Sequence, residues 1–174
     1  MERALKRESD VLRKKSEFEN SVKFYYYFID DNNDYIIVLE FCDSDLQKLL
    51  DEKGKFSSSE ILFILEGLNK PFKYIHNNNL IHRDIKPENI MIKYADSSKT
   101  KFIPKIADYA LARELDEGIA KTSLGTPGYM APEIIMEEDY TDKSDLYSIG
   151  VMMYQFYFNS LPFDIPLKYK KKKK

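Results

Sequence analysis

The run His82-Arg83-Asp84-Ile85-Lys86-Pro87-Glu88-Asn89 packs an acid, a cation and an amide into eight residues. A carboxylate such as Asp84 can accept a proton from an attacking hydroxyl. Lys86, two residues later, can meet an anionic group in transit. Asn89, five residues after the acid, offers an amide oxygen of the kind a hard cation such as Mg²⁺ takes. This set suits a reaction in which a protein mainly positions groups and stabilises charge. A second carboxylate, Asp108, closes the apolar run Ile103 to Ala107 nineteen residues further on. An Asp at a strand end is most often a turn residue, so its meaning depends on its company.

Elements to position these groups can be read from patterning. Glu2 to Phe18 sets Ala4, Leu5, Val11 and Leu12 among charges, which predicts a mostly exposed amphipathic helix. Val22–Phe28 and Tyr35–Glu40 are β-branched and aromatic runs around the turn formers Asp30 to Asp34, which predicts a β-hairpin. A short helix is expected from Ser44 to Lys53, ended by Gly54. Ser57 and Glu60 have capping-box spacing and open a longer helix whose stripe is Ile61, Ile64, Leu65, Leu68, Phe72 and Ile75. Pro71 inside that pattern predicts a kink, and Asn77 to Asn79 a terminal turn. Short apolar runs alternate with loops from Leu80 to Ala107, with 95–101 as a polar surface insertion. Thr141 or Asp142 can cap a last helix reaching Phe158, apolar on nearly every face and so expected inside the domain. The order is helix, hairpin, then mostly helix, without internal repeats: one compact α+β unit.

Composition bounds rather than directs. The chain has 174 residues, 43% hydrophobic and 32% charged, ordinary values for one globular domain. A net charge of -2 gives no reason to expect nucleic acid or an acidic surface as partner. Cys42 is the single cysteine, so no intrachain disulfide is possible, and a cytoplasmic, reducing setting is expected. Met1 to Lys15 lacks the apolar core of a secretory signal, and Ile149–Phe158 is too short to span a bilayer, so no membrane is expected. The Lys-rich end from Lys168 reads as a solvated tail.

The octet His82–Asn89 fits the pattern H-R-D-x-K-P-x-N and resembles the catalytic loop of a eukaryotic-type Ser/Thr protein kinase domain. Asp108-Tyr109-Ala110 stands where that family has D-F-G, and Gly125 to Glu133 is similar to the end of its activation segment, with A-P-E intact. Asp145 to Gly150 resembles the D-x-W-S-x-G opening of the family's central helix, with Tyr147 for Trp, and Leu161-Pro162-Phe163 the turn after it.

The resemblance implies roles. Asp84, Lys86, Asn89 and Thr126 would be catalytic, Thr126 bonding the acid and the lysine and favouring Ser/Thr over Tyr as the accepting side chain. Asn89 and Asp108 would hold Mg²⁺. Val38 to Cys42 would be the connector between two lobes, with adenine on the main chain at Glu40 and Cys42 and Leu39 as gatekeeper. Asp45 would contact the ribose, and Met91 would be a further nucleotide contact. Arg83 would pair with a phosphate on Thr122 or Ser123, Asp145 would anchor the catalytic-loop backbone, and Glu8 would pair with an ATP-binding lysine. ATP, Mg²⁺ and a protein Ser/Thr substrate are thereby implied.

Departures also count. Tyr109 replaces Phe, and Ala110 replaces a Gly where positive φ is cheap. Neither a G-x-G-x-x-G loop nor a V-A-x-K strand precedes the first helix, and the resemblance ends near Pro166. The expected layout is therefore a partial kinase domain over 1–166, with 1–42 a small-lobe remnant and connector, 43–166 most of a helical lobe, and 167–174 a basic tail. A pseudokinase acting as a binding or scaffold module is the alternative. The hairpin and last helix are expected to expose apolar surface.

Overall fold

The computed structural model describes residues 18–108, 113–114 and 124–164. The helix expected over Glu2–Phe18 with Glu8, the pair Tyr109 and Ala110, the hydroxyls of Thr122 and Ser123, and the basic tail lie outside the described residues, Phe18 excepted.

Strands β1 (Phe24–Ile29) and β2 (Tyr35–Leu39) form the expected antiparallel hairpin, Ile29 opposite Tyr35 and Phe24 opposite Leu39. Asp30 closes its turn, since one carboxylate oxygen accepts from the main-chain N–H of Asn32 at 2.9 Å and of Asp34 at 2.8 Å. The pair stands as its own two-stranded sheet. Tyr25, Tyr26, Tyr27, Phe28 and Ile29 are all exposed, so the hairpin buries little on either face.

The larger part begins with β3 (Ser44–Asp45), which pairs with a later strand, and α1 (Leu46–Lys53). The short helix thus starts two residues later than its sequence suggests. Asp45 is its cap, accepting from Lys48 N–H at 2.9 Å, and Ser44 is drawn into the sheet. Gly54 ends α1 with φ 80°, a conformation that favours glycine. Helix α2 (Ser58–Asn77) carries the full capping box: Glu60 N–H donates to the Ser57 hydroxyl and Ser57 N–H to the Glu60 carboxylate. Its buried side is Ile61, Ile64, Leu68, Pro71, Phe72 and Ile75, and it runs as one element through Pro71.

Next come β4 (Leu80–Ile81), a 3₁₀ turn (Pro87–Asn89), β5 (Ile90–Tyr94), β6 (Phe102–Ile106), β7 (Arg113–Glu114), α3 (Pro132–Ile135) and α4 (Lys143–Phe158). β3, β5 and β6 make one antiparallel sheet, and β4 pairs with β7. The insertion over 95–101 is the exposed link between β5 and β6. The main core joins Leu46 and Leu50 of α1, the α2 stripe, Ile90 and Ile92 of β5, Ile106, and Met152 and Phe156 of α4. Phe56 and Phe156 meet edge to face at 4.9 Å within it. A second cluster gathers Ile81, Met130, Ala131, Ile134 and Tyr140 beneath the 125–135 segment.

The last helix lies only partly inside and exposes apolar surface, as expected of it. α4 buries Ser144, Asp145, Ser148, Val151, Met152 and Phe156, while Leu146, Tyr157 and Phe158 are exposed. One flank opens on an apolar groove of about 360 Å³ lined by Ile61, Leu62 and Leu65 of α2 and Met153, Tyr154 and Tyr157. An all-apolar sequence asks for cover on every side, and the described residues cover only part of it.

Candidate active site

The site is assembled from three stretches of chain. The loop between β4 and β5 carries His82 to Asn89, Asp108 stands two residues beyond β6, and the segment before α3 carries Thr126. Asp145, at the start of α4 and 1% exposed, ties down the first. Its carboxylate accepts from the main-chain N–H of His82 at 2.9 Å and of Arg83 at 3.0 Å, and meets His76 Nε2 at 3.0 Å. His82 is fully buried, its Nε2 lying 2.9 Å from the carbonyl oxygen of Ala107. The loop is thus pinned to α4 and to the residue before Asp108. Arg83 with φ 70° and Asp108 with φ 57° both take left-handed backbone, a costly arrangement that surrounding contacts must hold and that concentrates at functional sites.

The third stretch docks through Gly125. Its φ is 137°, and a Cβ there would lie 2.8 Å from the carbonyl oxygen of Arg83, so any side chain would push the segment off the loop. That approach delivers Thr126, whose hydroxyl donates to Asp84 Oδ1 at 2.5 Å and receives Lys86 Nζ at 2.8 Å. Lys86 Nζ also lies 2.8 Å from Asp84 Oδ2, and Asn89 Nδ2 donates to Oδ2 at 2.9 Å and to the Asp84 carbonyl at 2.8 Å. Asp84, Lys86, Asn89 and Thr126, all named from sequence, therefore meet around one carboxylate.

That carboxylate is poised. Burial pushes the Asp84 pKa up, but hydrogen bonds from Lys86 and Thr126, the Lys86 charge and the Asn89 amide outweigh it and hold the group below the ordinary carboxylate range. Asp84 is consequently ionised at neutral pH. A carboxylate has about four acceptor positions, and Lys86, Asn89 and Thr126 fill three, which leaves one on Oδ1 for a further hydroxyl.

The donors for a hard cation fit as well. Asn89 spends its NH₂ on Asp84, so its Oδ1 is the atom left to ligate. Asp108 follows Ala107, whose N–H donates to the Asn89 carbonyl at 2.9 Å, so the two oxygen donors are held on adjoining backbone. One carboxylate and one amide are the sparse set that Mg²⁺ accepts when a substrate phosphate supplies further oxygens. Among the described residues no group of three or more His, Cys, Asp or Glu side chains is arranged to hold a metal by itself.

The connector residues are laid out along one strand end. Leu39 closes β2, partly exposed, opposite Phe24. Glu40 N–H is occupied by the Lys23 carbonyl at 2.8 Å. Cys42 is half-buried, and burial followed by the Glu40 charge pushes its thiol pKa up, which keeps it a thiol at neutral pH. Met91 lies on β5 between Asp45 and Lys105 in the register. Asp45 is 8% exposed and engaged locally, its oxygens taken by Lys48 N–H and, at 3.1 Å, Lys48 Nζ.

Sequence reasoning passed over several residues. His76 and His82 carried no pairing signal, because their partners lie 69 and 25 positions away. Lys105 was absorbed in an apolar run, although a lysine between Pro104 and Ile106 was itself the signal. Glu133 accepts from the Ser144 hydroxyl at 2.9 Å, a tie between α3 and α4 that spacing does not reveal.

Comparison with known proteins agrees with this geometry. The family model described as "Protein kinase domain" matches residues 1–174. "Serine/threonine-protein kinase 33" of Mus musculus is 37% identical over 135 residues, 73% of this chain and 28% of that protein. Its Bos taurus counterpart is 36% identical over 166 residues, 91% of this chain and 34% of that protein. "Serine/threonine-protein kinase TIO" of Arabidopsis thaliana is 32% identical over 162 residues, 92% of this chain and 12% of that protein. The chain thus spans about a third or less of the curated relatives it matches. With a family match over its whole length and the Asp84 cluster assembled in the fold, the chain belongs to the protein kinase domain family.

Proposed function

We propose that the protein transfers the γ-phosphoryl group of ATP to a Ser or Thr hydroxyl of a protein substrate. The observation that carries this reading is the open acceptor position on ionised Asp84, beside Lys86 and Thr126. Asp84 receives the proton as the substrate O–H bond breaks. The new oxygen–phosphorus bond forms while the bond to the departing ADP oxygen breaks. Lys86 offsets the negative charge of the phosphoryl group in flight. Thr126 orders both side chains, and Asn89 and Asp108 hold Mg²⁺, which when bound neutralises phosphate charge. Main-chain groups at Glu40 and Cys42, with Leu39 and Met91 beside them, receive adenine, and among the described residues Cys42 N–H and C=O have no hydrogen-bond partner. Asp45 approaches the ribose only by giving up part of its capping role. The single reduced cysteine supports an intracellular setting. Among the described residues no helix is long and apolar enough to cross a membrane.

The test is phosphate transfer from Mg·ATP to Ser, Thr and Tyr peptide libraries by the natural full-length protein and its Asp84→Asn form. Ser/Thr transfer reduced by about 10²–10⁴-fold on substitution is the expected result. Binding of Mg·ATP with no transfer by the unsubstituted protein would instead support a scaffold role.

A further inference from the structure

Lys105 is 3% exposed near the end of β6, where an apolar residue would pack at no electrostatic cost. Removing an ammonium group from water costs several kcal/mol unless it is paired and hydrogen-bonded. Here it is both. Lys105 Nζ lies 3.1 Å from Glu40 Oε2 and donates to the Glu19 carbonyl at 2.5 Å. The same Glu40 oxygen accepts from Lys23 N–H at 3.2 Å, while Glu40 N–H donates to the Lys23 carbonyl.

These contacts tie the connector to β6. The stretch from Glu19 to Val22 is laid along β6: Ile106 N–H donates to the Asn20 carbonyl at 2.9 Å and Val22 N–H to the Ile106 carbonyl at 3.0 Å. Asn20 Nδ2 bonds the Pro104 carbonyl at 2.9 Å. Glu40 lies in the connector, just past the end of the hairpin. Three residues beyond Lys105 along the chain stands Asp108, its approach fixed by Ala107 against Asn89 and His82. A further side-chain tie to the connector, Lys93 Nζ to the Phe41 carbonyl at 3.0 Å, is exposed.

We infer that Lys105 is a positioning residue of the nucleotide site: through Glu40 it sets where the connector main chain stands relative to the strand that carries Asp108. The inference rests on the kinase reading for what binds there, but the geometric link does not. Lys105 touches no reacting atom. It acts by fixing one end of the site against the other, so that a ligand held at both ends meets a preformed span rather than one it must order.

Four forms of the natural protein test this: Lys105→Met, Glu40→Gln, the double substitution, and Lys105→Arg. Without nucleotide, Lys105→Met and Glu40→Gln each accelerate amide hydrogen exchange over residues 40–43 by about tenfold, leave α2 and α4 unchanged, and in combination act no more strongly than the larger single change. Lys105→Arg, which keeps the charge and the fold, restores the exchange pattern. With nucleotide, each single substitution raises the KM for ATP and the Kd for Mg·ADP by about tenfold, with kcat changed less than about twofold. Unchanged exchange at 40–43, additive effects, or equal acceleration throughout the molecule would overturn the inference, the last by reducing Lys105 to general support. Failure of the unsubstituted protein to bind Mg·ADP would sink the kinase reading instead, with the exchange experiment still judging the link.

Discussion

The loop around Asp84 and the β1–β2 hairpin belong to one chain but are built on opposite terms. Asp84 is 7% exposed, yet it is polar, and its carboxylate is held by directed hydrogen bonds and an ion pair, two from its own loop and one from Thr126 far along the chain. The hairpin is almost wholly apolar, yet Tyr26 is 57% exposed and the residues either side of it are open as well. Burial thus goes to the polar site and exposure to the apolar strands, the reverse of a simple inside-out rule. Water must be kept from the carboxylate for its charge contacts to be strong. The hairpin, a lone pair of strands, sends only Phe24 and Ile37 to the main core.

The sharpest way to break the contrast is at Asp145. Asp145→Ala leaves the main-chain N–H groups of His82 and Arg83 without their acceptor and is expected to cost about 3–5 kcal/mol, read as a lowered urea midpoint. Leu68→Ala, at a fully buried position of α2, is expected to cost about 2–5 kcal/mol by leaving a cavity in the main core. Tyr26→Lys on the hairpin should change stability by no more than about 0.5 kcal/mol while reducing self-association in light scattering. A loss comparable to Leu68→Ala would show that the hairpin is packed after all.

Acid titration separates the regions by another route. Because the folded pKa of Asp84 lies below its unfolded value near 3.8, its contribution to stability is present above that value and is lost as pH falls through the folded pKa. Thr126→Val removes one of the hydrogen bonds responsible, so the acid limb of the phosphotransfer profile should move to higher pH. An unmoved limb would assign it to another group. The smallest expected effect is at the α2 cap, where Ser57→Ala should cost about 1 kcal/mol in thermal unfolding. Glu60 there is held at about 2, first by its hydrogen bond to Lys53 and also by bonds to Ser57, so that local support fades only as pH falls from 4.5 towards 2.

Much of the molecule was legible because its codes are local. The capping box of Ser57 and Glu60, the turn at Asp30 and the stop at Gly54 each act within a few residues, and each stands where the pattern put it. The start of α1 moved because Ser44 pairs with Ile92 on β5, a partner no local pattern names. That α4 would expose apolar surface was legible too, but which of its sides are covered depends on neighbours that no local pattern names.

By itself the sequence determined the chemical set, since Asp84, Lys86 and Asn89 lie within six residues and their spacing holds them on one loop. Only the tertiary structure decided that Thr126 closes on that loop from 42 positions away and that Asp145 anchors its backbone from more than 60. It alone decided that the ammonium group of Lys105 is buried against Glu40. The reason is physical. Short-range hydrogen bonds are set by covalent spacing, whereas these ties exist only after distant segments have excluded water from between them.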